Sequence, residues 1–391
     1  MAPIKLLPFK VKCHNLKKLF HTTSLKFGFL DCSADAQLDK GVADRFLCLP
    51  IPEPKTQISY VWIDGSGLDL RMRSKTLDFI PCTYKDCPNW TFDGSSTFFS
   101  PANKSDNYIV PIAMYADPFR RGNNKIVLCE TFTPDKKPTK TNHRQACIEV
   151  LNKVCDQEVM FGFQQQFYFI GPEGRPYGWP CGAMPRQTGK NYSGLGSTRA
   201  VGREIMECIY RCCLYAGIDF HGTTAERAYG QWQALTGPTL SIKAADDLWM
   251  VRYIITRVAE TFGISASFKA NPVRKGGVPS GMHTNFSTKK SRDENGYQVI
   301  MDYMTKLEKN HKADQKFFDC SGGDHLKDRL TGDHHTSHLD KFKWGVGDRT
   351  ASVKISPSVA DKKKGFFQDR RPSSCADPYN LIIALVCTCL L

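Results

Sequence analysis

The chain has 391 residues, 41% apolar and 24% charged, with 53 lysines and arginines against 39 acids for a formal charge of +14. That length exceeds one typical hydrophobic core and predicts two domains, while the lack of any run of about 18 apolar residues excludes a membrane-spanning helix. The positive charge is spread along the chain, with short clusters at 136–144 and 362–364 but no recognisable nucleic-acid motif, so it reads as solvated surface and not as a nucleic-acid footprint.

The chain opens with Lys5, Lys10, Lys12, Lys17, Lys18 and Lys26 and has no acid before Asp31. Acid-poor basic starts resemble mitochondrial targeting segments, yet arginine is absent, so residues 1–54 read as a flexible extension of a cytoplasmic protein, with mitochondrial import as the alternative. The prolines of PIPEPKT (50–56) form a boundary after which ordered structure is expected to begin. Strand, turn and strand follow at 60–63, DGSG and 68–72, because Asp and Gly supply the turn conformations a hairpin needs. Further strands at 108–113 and 125–131 complete a small β-rich domain over 55–136. TPDKKPTKTNHR (133–144) reads as a linker, set at 137–144, and leaves 145–391 for a larger domain. There, apolar residues at helical spacing predict helices over 200–216 and 246–262, stopped by Gly217 and Gly263. Strands are predicted at 161–170, 283–287 and 350–355, which makes the fold class α+β.

Sixteen cysteines are scattered through apolar segments, as at Cys208, Cys212 and Cys213, with no CxxC pair. The expectation is a reduced protein whose cysteines are small buried side chains.

In GFQQQFYFIG (162–171) the period of two puts Phe163, Phe167 and Phe169 on one strand face and Gln164, Gln166 and Tyr168 on the other. HGTTAERAYGQWQ (221–233) places Glu226 seven residues before Gln233, and HTNFST (283–288) puts His283 at a strand start with Asn285 facing the same way. Taken singly, these are polar faces of half-buried strands. With KKGFFQDRRPS (363–373), FDGSST (92–97), DPFRRGNNKIVLCE (117–130), YGWP (177–180) and RLTGDHHTS (329–337), they resemble the eukaryotic, type II, glutamine synthetases from about residue 60 to 391.

The resemblance implies an N-terminal β-grasp-like domain and a larger C-terminal α/β catalytic-type domain, assembled as a decamer of two stacked five-membered rings with sites between neighbouring subunits. It implies phosphorylation of glutamate by ATP with Mg²⁺ or Mn²⁺, then displacement of phosphate by ammonia. Carried over residue by residue, the metal ligands fall on Gln164, Gln166, Glu226, Gln233, His283 and Gln368, of which only Glu226 and His283 keep the family's residue type. Asp93 takes the place of the ammonium-side aspartate donated by a neighbouring subunit. His335 stands where the mobile flap has its carboxylate. Arg349 and Arg370 are carried over, with Asp93 and His335, as catalytic residues, and Arg329, Asn285 and Lys354 as substrate- or phosphate-binding ones. Lys354 replaces a second phosphate-side arginine, and Val278 and Pro279 replace an Asn-Gly pair.

Hard divalent cations take anionic oxygens, and several of them round a triphosphate need carboxylates. Glutamine keeps the shape of glutamate and loses the charge. At about 4 Å and an effective dielectric near 20, one such attraction is on the order of 4 kcal/mol, so four exchanges predict that no nucleotide–metal complex is held tightly. Three readings follow. The first is a glutamine synthetase-like pseudoenzyme that acts through assembly, in a homo-oligomer or in mixed rings with an active glutamine synthetase, its Arg329, Arg349, Lys354 and Arg370 forming a site for an anion without metal. The second is an active ATP-dependent glutamate–ammonia ligase with an altered site. The third is a new zinc site built from His283, His334, His335 and His338.

Overall fold

The computed structural model describes residues 41–97, 99–180, 190–273, 277–320, 323–333 and 335–391. Most of the basic extension and His334 lie outside them. A short exposed helix, α1 (Gly41–Leu47), precedes the proline boundary, so regular structure starts earlier than the sequence predicts.

Five strands then form the first sheet: β1 (Thr56–Ile63), β2 (Leu70–Leu77), β3 (Trp90–Asp93), β4 (Asp106–Ala116) and β5 (Lys125–Phe132). Their spatial order is β2-β1-β5-β4-β3, with β1 parallel to β5 and the other pairs antiparallel. The β1–β2 turn is closed by Asp64, whose Oδ1 accepts from the Ser66 N–H at 3.0 Å, which is the local hydrogen bonding that suits aspartate to turns. Ile58, Tyr60 and Trp62 from β1 pack with Phe92, Ile109 and Val127 into a core of their own.

Helix α2 (His143–Asn152) begins inside the segment expected to be linker, and β6 (Met160–Ile170) follows. Next come α3 (Arg203–Tyr215), β7 (Phe220–Ala225), β8 (Gln231–Leu240), α4 (Lys243–Thr261), β9 (Ser265–Ser267) and β10 (Met282–Ser287). The short helices α5 (Lys289–Arg292), α7 (His311–Asp314) and α8 (Asp324–Arg329) flank the longer α6 (Gly296–Lys309). The chain closes with β11 (Trp344–Val346), β12 (Val353–Ile355), α9 (Pro357–Lys362), β13 (Phe367–Asp369) and α10 (Pro378–Leu390). Among the described residues these strands make an eight-stranded sheet in the order β11-β12-β13-β10-β6-β8-β7, with β9 on β6. Strand β12 is shorter than predicted: Asp348 accepts the Thr350 N–H at 2.8 Å and bends 348–350 into a turn.

Helix α4 is buried along nearly its whole length, including Asp246, Asp247 and Arg252. Its polar groups tie the parts of the molecule together. Tyr115 of β4 donates to Asp247 at 3.0 Å, and Arg144 of α2 binds Asp246 through Nε and Nη2, both at 2.9 Å. The result is the α+β architecture expected, a β-rich N-terminal domain against a larger helix-and-sheet domain whose concave sheet face carries the site.

The cysteines depart from expectation. Cys87, Cys129, Cys147, Cys213 and Cys389 are buried as predicted, but Cys208 is exposed on the outer face of α3. Cys320 and Cys375 form a disulfide, a pairing that a separation of 55 residues with no local spacing signature leaves invisible in the sequence.

Candidate functional site

Strand pairing converts scattered motifs into one surface. In register, Gln164 of β6 faces His283 of β10, and Gln166 faces Gln233 of β8, which faces Thr224 of β7. On the other side Asn285 of β10 faces Gln368 of β13, which faces Lys354 of β12. All four glutamines sit on the face opposite the phenylalanine core, because strand side chains alternate. Gln165, between Gln164 and Gln166, points the other way: it is fully buried, and its Oε1 accepts from Arg252 Nε and Nη2 at 2.9 and 2.8 Å.

Over this face lies a cavity of about 500 Å³ lined by Gln164, Gln166, Glu226, Gln233, His283 and Gln368 together with Arg329, His335, Arg349, Lys354 and Arg370. The sequence-derived set therefore converges, with two exceptions. Asp93 is exposed on the first domain and outside this cavity. Asn285 does not line the cavity. It is half-buried beneath Gln368, whose Nε2 donates to its Oδ1 at 3.2 Å.

Three of the four amides, those of Gln164, Gln166 and Gln368, are engaged with protein groups. Gln166 Nε2 donates to Glu226 Oε1 at 2.9 Å, while Gln166 Oε1 accepts the Gly281 N–H at 2.8 Å. Gln368 Oε1 accepts from Arg370 Nη1 at 3.3 Å. Gln164 Oε1 lies 3.4 Å from His283 Nδ1. A cation would need these oxygens as bare acceptors, several of them charged. Glu226 is the only carboxylate among the described cavity-lining residues, which also include Arg227, Arg329, Arg349, Lys354 and Arg370. The residues present do not fit a cluster of divalent cations.

Electrostatics agree with the geometry. Burial raises the Glu226 carboxyl above its usual range, and the Gln166 hydrogen bond and the Arg370, Arg227 and Arg349 charges oppose that only in part. Burial, then Arg370, Arg329, Lys354 and Arg349, push His283 well below its ordinary value, so its imidazole is neutral. Burial first, then Arg370, lowers Arg329 to about 9. Burial and Arg349 lower Arg370 to about 10, and Lys354 is lowered by burial and the same two arginines. Guanidinium groups stay charged at neutral pH, so these shifts reflect burial first and then crowding among cations, of which a bound anion would relieve the second. Buried Arg329 Nε and Arg370 Nε have no hydrogen-bond partner, an unusual state for buried donors.

Two features position the cations. Gly281 lies so close under the Arg329 guanidinium that a Cβ there would stand 2.2 Å from Nη2, and Arg329 Nη1 donates to the Arg371 carbonyl at 2.8 Å. Strand alternation separates the arginine pair: Arg370 enters the cavity, and Arg371 is fully buried against Asp369, its Nη2 donating to Oδ2 at 2.7 Å.

Sequence reasoning missed Arg227, which lines the cavity beside Glu226; its signal was a cation next to a retained acid. The four-histidine zinc site does not assemble among the described residues. His283 is buried in the cavity floor, His338 lies 3.9 Å from Asp340 on the surface, and His334 is outside the described residues. His335 reaches the cavity rim, where its carbonyl accepts from Arg370 Nη2 at 3.4 Å. Val278, in place of a polar side chain, is held through its backbone, its carbonyl accepting from Tyr168 Oη at 2.7 Å and its N–H donating back at 3.1 Å.

Such a sheet-floored, cation-rimmed cavity beside a β-rich domain defines a class: residues 143–307 match the family model for the glutamine synthetase catalytic domain. Over 359 residues, 92% of this chain and 96% of the relative, the sequence is 44% identical to glutamine synthetase of Rattus norvegicus. It is 43% identical over the same length to glutamine synthetase 2 cytoplasmic of Drosophila melanogaster, covering 97% of it. The cryo-EM structure of Plasmodium falciparum glutamine synthetase has the same fold, with a TM-score of 0.70 at 15% identity over 90% of this chain and 74% of that one. The chain belongs to the glutamine synthetase family.

Proposed function

We propose that this chain is a glutamine synthetase-like pseudoenzyme that binds an anion, a phosphate or carboxylate compound, without divalent cations, and acts through assembly. The observation that carries the reading is the Gln166–Glu226 hydrogen bond. An amide can donate to the remaining carboxylate, whereas a second carboxylate there would need a cation between the two. The Gln166–Glu226 pair thus satisfies itself without a cation and leaves Arg329, Arg349, Lys354 and Arg370 facing a cavity with one acid among its described lining residues. Isothermal titration with Mn²⁺ and ATP tests it: the expected result is anion binding that Mn²⁺ does not strengthen, and tight Mn²⁺ binding alongside nucleotide sinks it.

Assembly is supported by Asp93 and by exposed apolar side chains. Asp93 is held down to about 2 by the Ser95 and Ser96 hydroxyls and the Ser95 N–H, so it is a fixed surface charge pre-set for an adjoining subunit. Phe79 and Ile80 on the first domain and Trp344 and Val346 on edge strand β11 are exposed, faces that ring neighbours would cover. The expected assembly is a homo-oligomer of stacked rings or a mixed ring with an active subunit, in the cytoplasm.

A second reading has its own support. The relatives are named glutamine synthetase, and Glu226, His283, Arg329, Arg349 and Arg370 line the cavity. Under it, purified protein with glutamate, ATP, ammonia and Mg²⁺ or Mn²⁺ would release phosphate and form glutamine. Absence of both products at high enzyme concentration removes it.

A further inference from the structure

Near the start of α8, among residues that do not line the cavity, four side chains of the types that bind metals meet. Asp319, Cys320 and His325 lie around the start of α8, and Cys375 follows the arginine pair. Their donor atoms all fall within 4.8 Å of one another. His325 Nδ1 stands 3.2 Å from Cys320 Sγ, 3.1 Å from Cys375 Sγ and 3.3 Å from Asp319 Oδ1, and Cys375 Sγ is 3.7 Å from that same oxygen. The other carboxylate oxygen, Oδ2, is already used, accepting the His325 N–H at 3.0 Å and the Leu326 N–H at 3.3 Å. The carboxylate is therefore locked with Oδ1 turned to the sulfurs.

A tetrahedral zinc ion with bonds of about 2.0 to 2.3 Å sets its ligands roughly 3.3 to 3.8 Å apart. Every N–S, N–O and S–O separation given above is near that range, and the sulfur pair, joined as a disulfide, must part. Disulfides are rare in reducing compartments, and the free dithiol would leave two soft donors beside an imidazole and an acid, a set that suits Zn²⁺ and not Mg²⁺.

We propose that the reduced Asp319–Cys320–His325–Cys375 cluster is a zinc-class metal site, unrelated to the family's catalytic cations and built from residues that do not line the main cavity. A dithiol opens the disulfide to two thiols by exchange, passing on two electrons and two protons as it closes to its own disulfide; a phosphine supplies the two electrons and becomes the phosphine oxide, with one water giving the oxide its oxygen and the thiols their two protons. Zinc then displaces both thiol protons to solvent and is bound by two thiolate sulfurs, His325 Nδ1 and Asp319 Oδ1. Sequence spacing hides this set because Cys375 joins it from 55 residues beyond Cys320.

The test uses the full chain without a histidine tag, reduced with a phosphine under anaerobic conditions, loaded with Zn²⁺ or Co²⁺ and passed through gel filtration. Roughly one metal per chain should be retained, and the Co²⁺ form should show the sulfur-to-cobalt charge-transfer band. C375S and H325A should each weaken binding at least roughly tenfold, while C208S, on the exposed face of α3, should leave it unchanged. Should C375S fail to fold, the charge-transfer band of the unaltered chain and its loss in H325A still decide. Retained metal without the sulfur band, metal content indifferent to both variants, or no retention by the reduced chain would each overturn the site.

Discussion

At Gln166, an amide of nearly the same shape as glutamate changes what its neighbour can be. Glu226 is buried, accepts from the Gln166 amide and sits above its normal range. Gln166→Glu would place two acids at that contact, so the variant should lose about 1–3 kcal/mol of stability in metal-free buffer and regain part of it when Mn²⁺ is added, as read by thermal unfolding. Gln164→Glu, Gln166→Glu, Gln233→Glu and Gln368→Glu together should raise Mn²⁺ affinity by orders of magnitude; titration showing no gain would refute the charge argument. The pH dependence has a definite sign. A carboxyl whose folded-state value is raised favours folding when protonated, so its destabilising effect grows as pH climbs from the unfolded value of 4.5 through the higher folded one. Glu226→Gln should therefore raise the melting temperature at neutral pH, and the gain should fade as pH falls toward that unfolded value.

Among the elements, β6 shows what a strand pattern conveys and what it withholds. Alternation correctly assigns Gln164 and Gln166 to one face and the phenylalanines to the other. It gives no hint that Gln165, on the apolar face, exists to hold Arg252, which also donates to the Ser374 and Ala376 carbonyls at 3.1 and 2.8 Å. Gln165→Leu would leave a buried guanidinium short of its best acceptor and should cost about 2–4 kcal/mol in urea unfolding. The same limit explains the rest of the site. Residues joined by motif, such as Glu226 and His283, were legible because their neighbours in sequence identify them. Arg227 was passed over although its neighbour Glu226 marks it, and the Cys320–Cys375 pair was not legible, because what defines it is a partner brought near by folding. Predicted helix ends at Gly217 and Gly263 fell within two residues of those observed. The third predicted strand of the second domain, at 350–355, shortened because Asp348 made a local turn that period-two counting does not register.

For the molecule as a whole, a domain that offers Asp93 outward and a cavity that has lost its acids need not belong to the same working site. In a mixed ring, this chain would complete a neighbour's site while its own remained free of cations. Co-expression with an active glutamine synthetase should then give joint purification, and Asp93→Ala in this chain should lower the activity of the mixed assembly but not its formation. Strict self-assembly, with no active subunit ever recovered, rules the mixed ring out and leaves the homo-oligomer.

Helix α8 is a single strut with a clamp at each end. Asp319 fastens its first turn, and its last residue, Arg329, rests on Gly281 and reaches the Arg371 carbonyl. Cys375 follows that same carbonyl by four residues. The sulfur pair therefore joins the two segments that meet again at the guanidinium, α8 through Arg329 itself and 371–375 through the Arg371 carbonyl. If the two ends respond to one another, occupancy of the rear cluster and anion affinity at the front must change by equal factors in either direction, which makes oxidation state a candidate dial for the cavity's hold on its guest.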